Sequence, residues 1–243
     1  VASGDGVTID LTDPVGTIVN DGTGDDIVYS GSDSTLSAVW PAFTETVSGI
    51  SKYEYAIGSS SGGTNVVDWT NNNTDTSVTK AGLTLTNGTA YYISVKATDN
   101  AENESTTITS DGVIVDTDGP IAGTVLDGTD VDIDWTNSTS SLTATWSGFS
   151  DTLSGIQKYE YAIGTSSGGT DVVDWTNNST DTSITKAGLT LTNGTTYYLN
   201  IRAADNVGNV STIVTSDGIT VDTDVPIISS VIEGSSTADI DYQ

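Results

Sequence analysis

Residues 85–97 read LTNGTAYYISVKA, and residues 191–203 read LTNGTTYYLNIRA. After a turn-forming Asn-Gly pair, apolar side chains occupy every second position of both stretches, which is the period of a β-strand with one buried face. The apolar face consists of Tyr91, Ile93, Val95 and Ala97 in the first stretch and of Tyr197, Leu199, Ile201 and Ala203 in the second. Other segments are equally short, rich in Thr, Val, Ile and Tyr, and bounded by Gly, Asn, Asp and Ser. The sequence therefore predicts an all-β fold.

The two stretches belong to a longer internal repeat with a step of 106 residues. The step relates Trp40 to Trp146, Tyr53 to Tyr159, Trp69 to Trp175, Tyr91 to Tyr197, and Pro14 to Pro120 and Pro226. This period is too long for a solenoid unit and suits a complete sandwich domain. We therefore predict two complete repeats, 14–119 and 120–225. We expect residues 1–13 to be the last strand of a preceding repeat and residues 226–243 to begin a following one, so that the chain is a segment of a longer protein.

The composition is strongly acidic, with 33 Asp and Glu against six Lys and Arg and a formal net charge of -27. Such a surface repels nucleic acid and anionic lipid, so we expect neither a nucleic-acid partner nor membrane insertion. The chain contains no Cys and no His, the commonest sources of nucleophiles and general bases. Paired carboxylates could in principle cleave glycosides, but the repeat duplicates them throughout the chain. We therefore predict that the protein is not an enzyme.

The LTNGTAYYISVKA stretch, together with ATW at 144–146 and KYEYAIG at 52–58, resembles the fibronectin type III domain. That resemblance implies seven-stranded immunoglobulin-like sandwiches in which Tyr91 and Tyr197 are the tyrosine-corner residues. Asn87 stands where many members of the family have proline. The stretch ATDNAENES at 97–105, followed by VDTDGP, is similar to tandem repeats of large bacterial surface proteins. By that resemblance the sandwiches form an elongated rod outside the cell or at its surface.

Three carboxylate-rich linkers recur at the repeat boundaries: TIDLTDPVGT at 8–17, IVDTDGPIAG at 114–123 and TVDTDVPIIS at 220–229. In the fold that the chain resembles, the linker leaving one domain meets two loops of the next. The set expected to gather at the central linker is Asp116, Asp118, Asp151, Asp205 and Asn206. The corresponding set at the first linker is Asp10, Asp13, Glu45, Asp99 and Asn100.

These side chains offer the oxygen ligands that Ca²⁺ prefers, and converging carboxylates repel one another unless a cation joins them. We therefore expect Ca²⁺ at both sets. The alternative is a solvated acidic linker, because Asp, Gly and Pro are also ordinary turn residues.

The leading functional prediction is a non-catalytic structural segment of an extracellular bacterial stalk, adhesin or fibre, stiffened by Ca²⁺ at the domain junctions. Its partners would be neighbouring repeats or further copies of itself, with glycans or a host surface contacted through other domains. The alternative is a carbohydrate- or receptor-binding module. Trp69 and Trp175 could then stack on sugars, although a strand tryptophan more commonly covers the edge of a sandwich.

Overall fold

A computed structural model describes residues 6–129 and 131–229, and within them every regular element is a β-strand. The first repeat contains nine strands: β1 (Asn20–Asp21), β2 (Tyr29–Ser30), β3 (Thr35–Val39), β4 (Ile50–Gly58), β5 (Val67–Asn71), β6 (Ser77–Ala81), β7 (Ala90–Asp99), β8 (Ile108–Thr109) and β9 (Val113–Val115). The second repeat contains nine more: β10 (Thr124–Asp127), β11 (Trp135–Thr136), β12 (Ser141–Ser147), β13 (Ile156–Gly164), β14 (Val173–Asn177), β15 (Ser183–Ala187), β16 (Thr196–Asp205), β17 (Val214–Thr215) and β18 (Ile219–Val221). The all-β prediction is confirmed.

Each repeat is a sandwich of two sheets with the same strand order. In the first repeat one sheet has the order β1-β3-β6, and the other has the order β2-β9-β7-β4-β5 with β8 also paired to β7. In the second repeat the orders are β10-β12-β15 and β11-β18-β16-β13-β14, with β17 paired to β16. In the first repeat β3 is antiparallel to β1 and β6, and β7 is antiparallel to β4, β8 and β9. The pairs β2 with β9 and β11 with β18 are parallel. This is the fibronectin type III-type, immunoglobulin-like sandwich that the resemblance implied.

Each repeat has nine strands instead of the expected seven because its first and last strands are both divided. The first strand crosses from one sheet to the other, and its two parts are β1 and β2. The last strand is interrupted at Ser110, Asp111 and Gly112, which separates β8 from β9. Gly112 has a φ of 103°, a conformation that strongly favours glycine. The chain therefore bends between the two parts of its last strand.

The core lies between the two sheets of each repeat. In the first repeat Leu36 and Ala38 of β3 and Ile93 and Val95 of β7 are buried in one hydrophobic cluster, as the period-two pattern predicts. Burying a side chain of the size of leucine or isoleucine contributes about 1.5–3 kcal/mol. The ring of Trp40 lies edge-on to that of a neighbouring tyrosine, with their centroids 5.8 Å apart. The central strands therefore form a rigid base for the loops that follow them.

Both tyrosine corners are present. The Tyr91 hydroxyl accepts a hydrogen bond of 2.9 Å from the backbone N–H of Thr86, and the Tyr197 hydroxyl accepts the equivalent bond of 2.9 Å from Thr192. Asn87 lies inside this turn, and its side-chain oxygen accepts the N–H of Thr117 at 2.8 Å. Asn87, which stands where many family members have proline, thus joins the linker to the tyrosine corner by a hydrogen bond.

The turn after β7 has the same shape as the turn after β16 despite a sequence difference. Gly208 has a φ of 97°, and its counterpart Glu102 adopts a φ of 70°. A residue with a Cβ pays a conformational cost in this region, so the first repeat carries local strain that the second avoids.

The chain divides into two compact units whose limits differ from those of the repeats. The first unit combines the residues up to Ile121 with Ser150–Gln157 and Ala203–Ser211. The second contains Ala122–Phe149, Lys158–Arg202 and the residues from Thr212 onwards. Two loop regions of the second repeat are therefore grouped with the linker that precedes that repeat.

The expectations for the two ends of the chain stay predictions. Residues 6–13 contain no strand, and residues 226–229 contain none either. Residues 1–5 and 230–243, which complete the expected partial repeats, lie outside the described residues. The described part of the chain also contains no helix with the length and apolar character needed to cross a membrane.

Candidate metal centres

The structure brings together three of the five residues predicted in each set. The central carboxylate group consists of Asp116, Asp151 and Asp205, and the first carboxylate group consists of Asp10, Glu45 and Asp99. In each group one carboxylate oxygen from every member lies within 4.8 Å of those of the other two. Both groups combine a residue from the linker with one residue from each of the two loops that were expected to meet it.

Three different elements position the central carboxylate group. Asp116 directly follows β9, and its N–H donates to the carbonyl of Ser30 at 2.8 Å, which continues the ladder beside β2 by one residue. Asp151 lies in the loop between β12 and β13, and Asp205 is the last residue of β16. Two of the three members therefore lie at strand ends, where the sheets set the backbone direction, and the third lies in a loop.

Asp116 is fully buried, and only one of its carboxylate oxygens is hydrogen-bonded. Its Oδ2 accepts the N–H of Ser154 at 3.0 Å, whereas its Oδ1 has no hydrogen-bond partner among the described residues. The hydroxyl oxygen of Ser154 is buried as well and has no hydrogen-bond partner within 6–129 and 131–229. A buried anionic oxygen without a donor carries a large desolvation cost unless a cation or a proton compensates for it.

The other two carboxylates of the central group are held by the backbone of their own loops. Asp205 Oδ1 accepts the N–H groups of Val207, Gly208 and Asn209 at 3.0, 2.7 and 2.8 Å. Asp151 Oδ1 accepts the N–H of Gly155 at 2.7 Å. Such Asx-type turns fix the orientation of the carboxylates before any ligand arrives.

The first carboxylate group is built in the same way, but its linker residue is fully hydrogen-bonded. Thr12 donates to Asp10 Oδ1 from its N–H and from its hydroxyl, and Ser48 donates its N–H to Asp10 Oδ2. These bonds, above all the one from the Thr12 hydroxyl, lower the pKa of Asp10 to about 2. Burial raises the pKa of Asp99, but hydrogen bonds from Asn103 and Ala101 outweigh it and leave that pKa below its ordinary value. Both aspartates are therefore anionic at neutral pH.

Four of the predicted residues lie outside the carboxylate groups. Asp118 is exposed, and its Oδ2 accepts a hydrogen bond of 2.7 Å from the side chain of Asn87, which draws it away from the group. Asp13 is exposed and belongs to neither group. The amides of Asn206 and Asn100 instead donate to carbonyl groups of the neighbouring loop, at Ser154 and Ser48 respectively. They join the two loops by hydrogen bonds.

Sequence reasoning missed Asn209 and its counterpart Asn103. The side-chain amide of Asn209 donates to the carbonyl of Asp116 at 2.9 Å and to Asp205 Oδ2 at 2.8 Å, so it links the linker to the end of β16. Asn103 donates to Asp99 Oδ2 at 2.8 Å and to the Asp10 carbonyl at 3.3 Å. The recurrence of Asp-Asn-x-x-Asn at 99–103 and 205–209 was the signal that could have identified them.

The two strand tryptophans are covered by cations. Lys96 lies 4.9 Å from the centre of the Trp69 ring, and the Arg202 guanidinium lies 4.3 Å from that of Trp175. Both rings are half-buried. A cation over the ring face occupies the surface on which a sugar would stack.

No protein-family model and no curated protein sequence matches the chain. Several solved structures are similar to it. The chicken CNTN1 FN1–FN3 domains match with 16% identity and a TM-score of 0.43, covering 86% of this chain and 69% of that one. Fibronectin(III)-like modules of Clostridium thermocellum CbhA match with 15% identity and a TM-score of 0.42, covering 84% and 94%. Domains A168–A170 of titin match with 19% identity and a TM-score of 0.48, covering 86% and 68%. The likeness extends to the fold alone.

Proposed function

We propose that this chain is a non-catalytic structural segment of an extracellular stalk, adhesin or fibre of a bacterium, in which Ca²⁺ bound at the carboxylate groups stiffens the linkers. The observation that carries the proposal is the central carboxylate group. Its linker residue Asp116 is fully buried, and one of its oxygens has no partner in the part of the chain that the structure describes, beside the preoriented carboxylates of Asp151 and Asp205. A divalent cation supplies the missing partner and joins a linker to two loops in one step.

The near-identity of the two repeats supports a scaffold over a unique binding module. Both carry a carboxylate group at equivalent positions, both carry an Asn that joins the linker to a loop, and both cover a strand tryptophan with a cation. A scaffold needs such repetition, whereas one active site or one receptor site does not. The large negative charge also accords with an environment rich in salt or Ca²⁺, where cations screen the repulsion between neighbouring carboxylates.

The direct test measures stiffness. Because the chain has no cysteine, Ala81→Cys with Ala187→Cys introduces two exposed labelling positions, one in each repeat. Electron paramagnetic resonance then gives the distribution of distances between two spin labels. We expect a narrow distribution in Ca²⁺ and a broad one after chelation. In the Asp116→Asn variant we expect a broad distribution in both conditions. An equally broad distribution for the parent protein with and without Ca²⁺ would contradict the proposal.

The alternative function, carbohydrate or receptor binding, has one favourable observation. Trp135 in β11 is 64% exposed, so its ring is open to a ligand, unlike Trp69 and Trp175. Binding to a glycan array that is lost in Trp135→Ala would support this alternative. Binding that is lost only in Trp175→Ala would show that Arg202 moves off that ring.

A further inference from the structure

Two additional carboxylate groups lie in the repeats, away from the linker residues discussed above. The first loop group consists of Asp21, Asp26 and Asp111, and the second loop group consists of Asp127, Asp132 and Asp217. Within each group one carboxylate oxygen of every residue lies within 4.8 Å of those of the others. The three members of the second group follow those of the first by the 106-residue step.

Each loop group contains one fully buried carboxylate that is only half satisfied. Asp21 and Asp127 have no exposed surface. The Oδ2 atoms accept the N–H of Gly112 and Gly218 respectively, each at 3.1 Å. Both Oδ1 atoms are buried and have no hydrogen-bond partner among the described residues. The same buried carboxylate oxygen therefore lacks a hydrogen-bond donor in the described part of both repeats.

The second carboxylate of each loop group accepts a hydrogen bond from the backbone N–H of the buried aspartate. Asp26 Oδ1 accepts the N–H of Asp21 at 2.7 Å, and Asp132 Oδ1 accepts the N–H of Asp127 at 3.0 Å. Asp26 is exposed, as is the third member, Asp111. Each group thus has a buried oxygen at its base and two carboxylates open to solvent, through which an ion can enter.

The sequence around the two loop groups differs while the carboxylates coincide. The first loop reads DGTGDD at 21–26, and the second reads DGTDVD at 127–132. Asp25 is replaced by Val131 and Gly24 by Asp130, so each loop has three aspartates but only those of the loop group occupy the same positions. A generally acidic surface loop would not by itself place three carboxylate oxygens within 4.8 Å in both copies.

The charge of the loop groups is not balanced by a basic side chain. The ion pairs of the described residues all involve Glu54, Glu104 or Glu160. Burial raises the pKa of Asp21 to about 6, with a smaller contribution from repulsion by Asp26 and Asp111, although the Ser110 hydroxyl and the Gly112 N–H oppose the rise. The pKa of Asp127 is also raised to about 6 by burial and by its two carboxylate neighbours, against the corresponding hydrogen bonds. A cation from solution would relieve both the burial cost and the repulsion.

We propose that each loop group binds one hard divalent cation, of which Ca²⁺ fits best, and that the ion clamps the loop between the two parts of the first strand to the bend in the last strand of the same repeat. Ca²⁺ accepts several carboxylate oxygens in flexible geometry and tolerates bound water, which suits one buried and two exposed carboxylates. These would be sites within a repeat. They are independent of the carboxylate groups at the linkers and of the function proposed for those groups.

The test follows backbone amides by nuclear magnetic resonance while Ca²⁺ is added to the full chain. Gly112 and Gly218 are the reporters, because their N–H groups donate to the buried carboxylates. We expect both amide signals to shift and saturate. In Asp111→Asn with Asp217→Asn, which alters only exposed members, we expect about tenfold weaker binding at these reporters or none. Mg²⁺ should compete poorly, since it requires stricter geometry.

A control and a second variant separate these sites from the linker groups. Asp75→Asn with Asp181→Asn removes the same charge from exposed positions outside all four groups and should leave the reporter shifts unchanged. Asp116→Asn with Asp10→Asn should leave them unchanged too, although it removes the linker residues. If Ca²⁺ changes the chemical shift of the Gly208 amide but not those of the Gly112 and Gly218 amides, the loop-group proposal is overturned and the linker proposal stands. Unaltered affinity in Asp111→Asn with Asp217→Asn would also overturn it.

Discussion

Thr12 donates its hydroxyl to Asp10 Oδ1 at 2.6 Å and so occupies the carboxylate oxygen whose counterpart in Asp116 is unpartnered. The residue equivalent to Thr12 is Asp118, whose side chain is bound by Asn87 instead. The two linker carboxylates therefore differ in the number of oxygens that are free to bind a cation.

The first prediction follows from this difference: the central carboxylate group binds Ca²⁺ more tightly than the first group. A hydrogen bond to a charged group is worth about 1.5–3 kcal/mol, so displacing the Thr12 hydroxyl weakens binding by roughly tenfold or more. Titration of the amides of Gly208 and Glu102, which follow Asp205 and Asp99, measures the two affinities separately. Thr12→Ala should raise the Ca²⁺ affinity of the first group towards that of the central group. Equal affinities in the parent protein would refute the explanation.

The second prediction concerns pH in the absence of divalent cations. The pKa of Asp21 and that of Asp127 are raised from 3.8 to about 6, so between these values the folded state binds more protons than the unfolded state. Stability therefore falls as pH rises from about 4 to 6, by roughly 2 kcal/mol for each aspartate. The lowered pKa of Asp10, at about 2, acts only below this window.

Thermal unfolding in chelator checks the sign of this effect. The midpoint should be higher at pH 4.5 than at pH 7.5 by several degrees. Asp21→Asn with Asp127→Asn should remove most of the difference, because a neutral amide replaces the titrating group. A midpoint that rises steadily with pH over this range would be the opposite of what we expect.

The third prediction concerns the tyrosine corners. Tyr91→Phe and Tyr197→Phe each leave a backbone N–H in the preceding turn without its acceptor, which should lower the free energy of unfolding by about 1–2 kcal/mol. Urea unfolding measures the loss. The matched control is Tyr92→Phe, whose side chain lies on the opposite face of β7. A loss in the control as large as that in Tyr91→Phe would show that the hydroxyl bond at the corner has no special role.

The fourth prediction exploits the unequal turns after β7 and β16. Glu102→Gly should stabilise the first repeat by about 0.5–1 kcal/mol, because glycine adopts the left-handed conformation without strain. Gly208→Glu should destabilise the second repeat by a similar amount. Differential scanning calorimetry of the two variants gives both values. Changes of the same sign would exclude backbone strain as the cause.

Periodicity and repetition in the sequence were sufficient to predict the sandwich, because the alternation in β7 and the 106-residue step depend only on local pattern. The resemblance to the fibronectin type III domain grouped Asp116, Asp151 and Asp205, because the strand connectivity of that fold decides which loops share an end. The sequence could not show that Asp118 lies outside the central carboxylate group, because its position depends on a hydrogen bond from Asn87, which belongs to a turn distant in sequence. The loop groups were missed for a similar reason. The division of the last strand at Ser110–Gly112 brings Asp111 near Asp21, and no local pattern shows that bend.

The short parallel pairs of β2 with β9 and of β11 with β18 have a consequence for folding in a chain of near-identical repeats. Each pair occupies the hydrogen-bonding edge of the last strand in its sheet. An open edge there could accept the corresponding strand of an adjacent repeat, whose sequence fits almost as well as the native one. We infer that β2 and β11, although only two residues long, cover this edge and so oppose domain swapping and aggregation while a repetitive polypeptide folds.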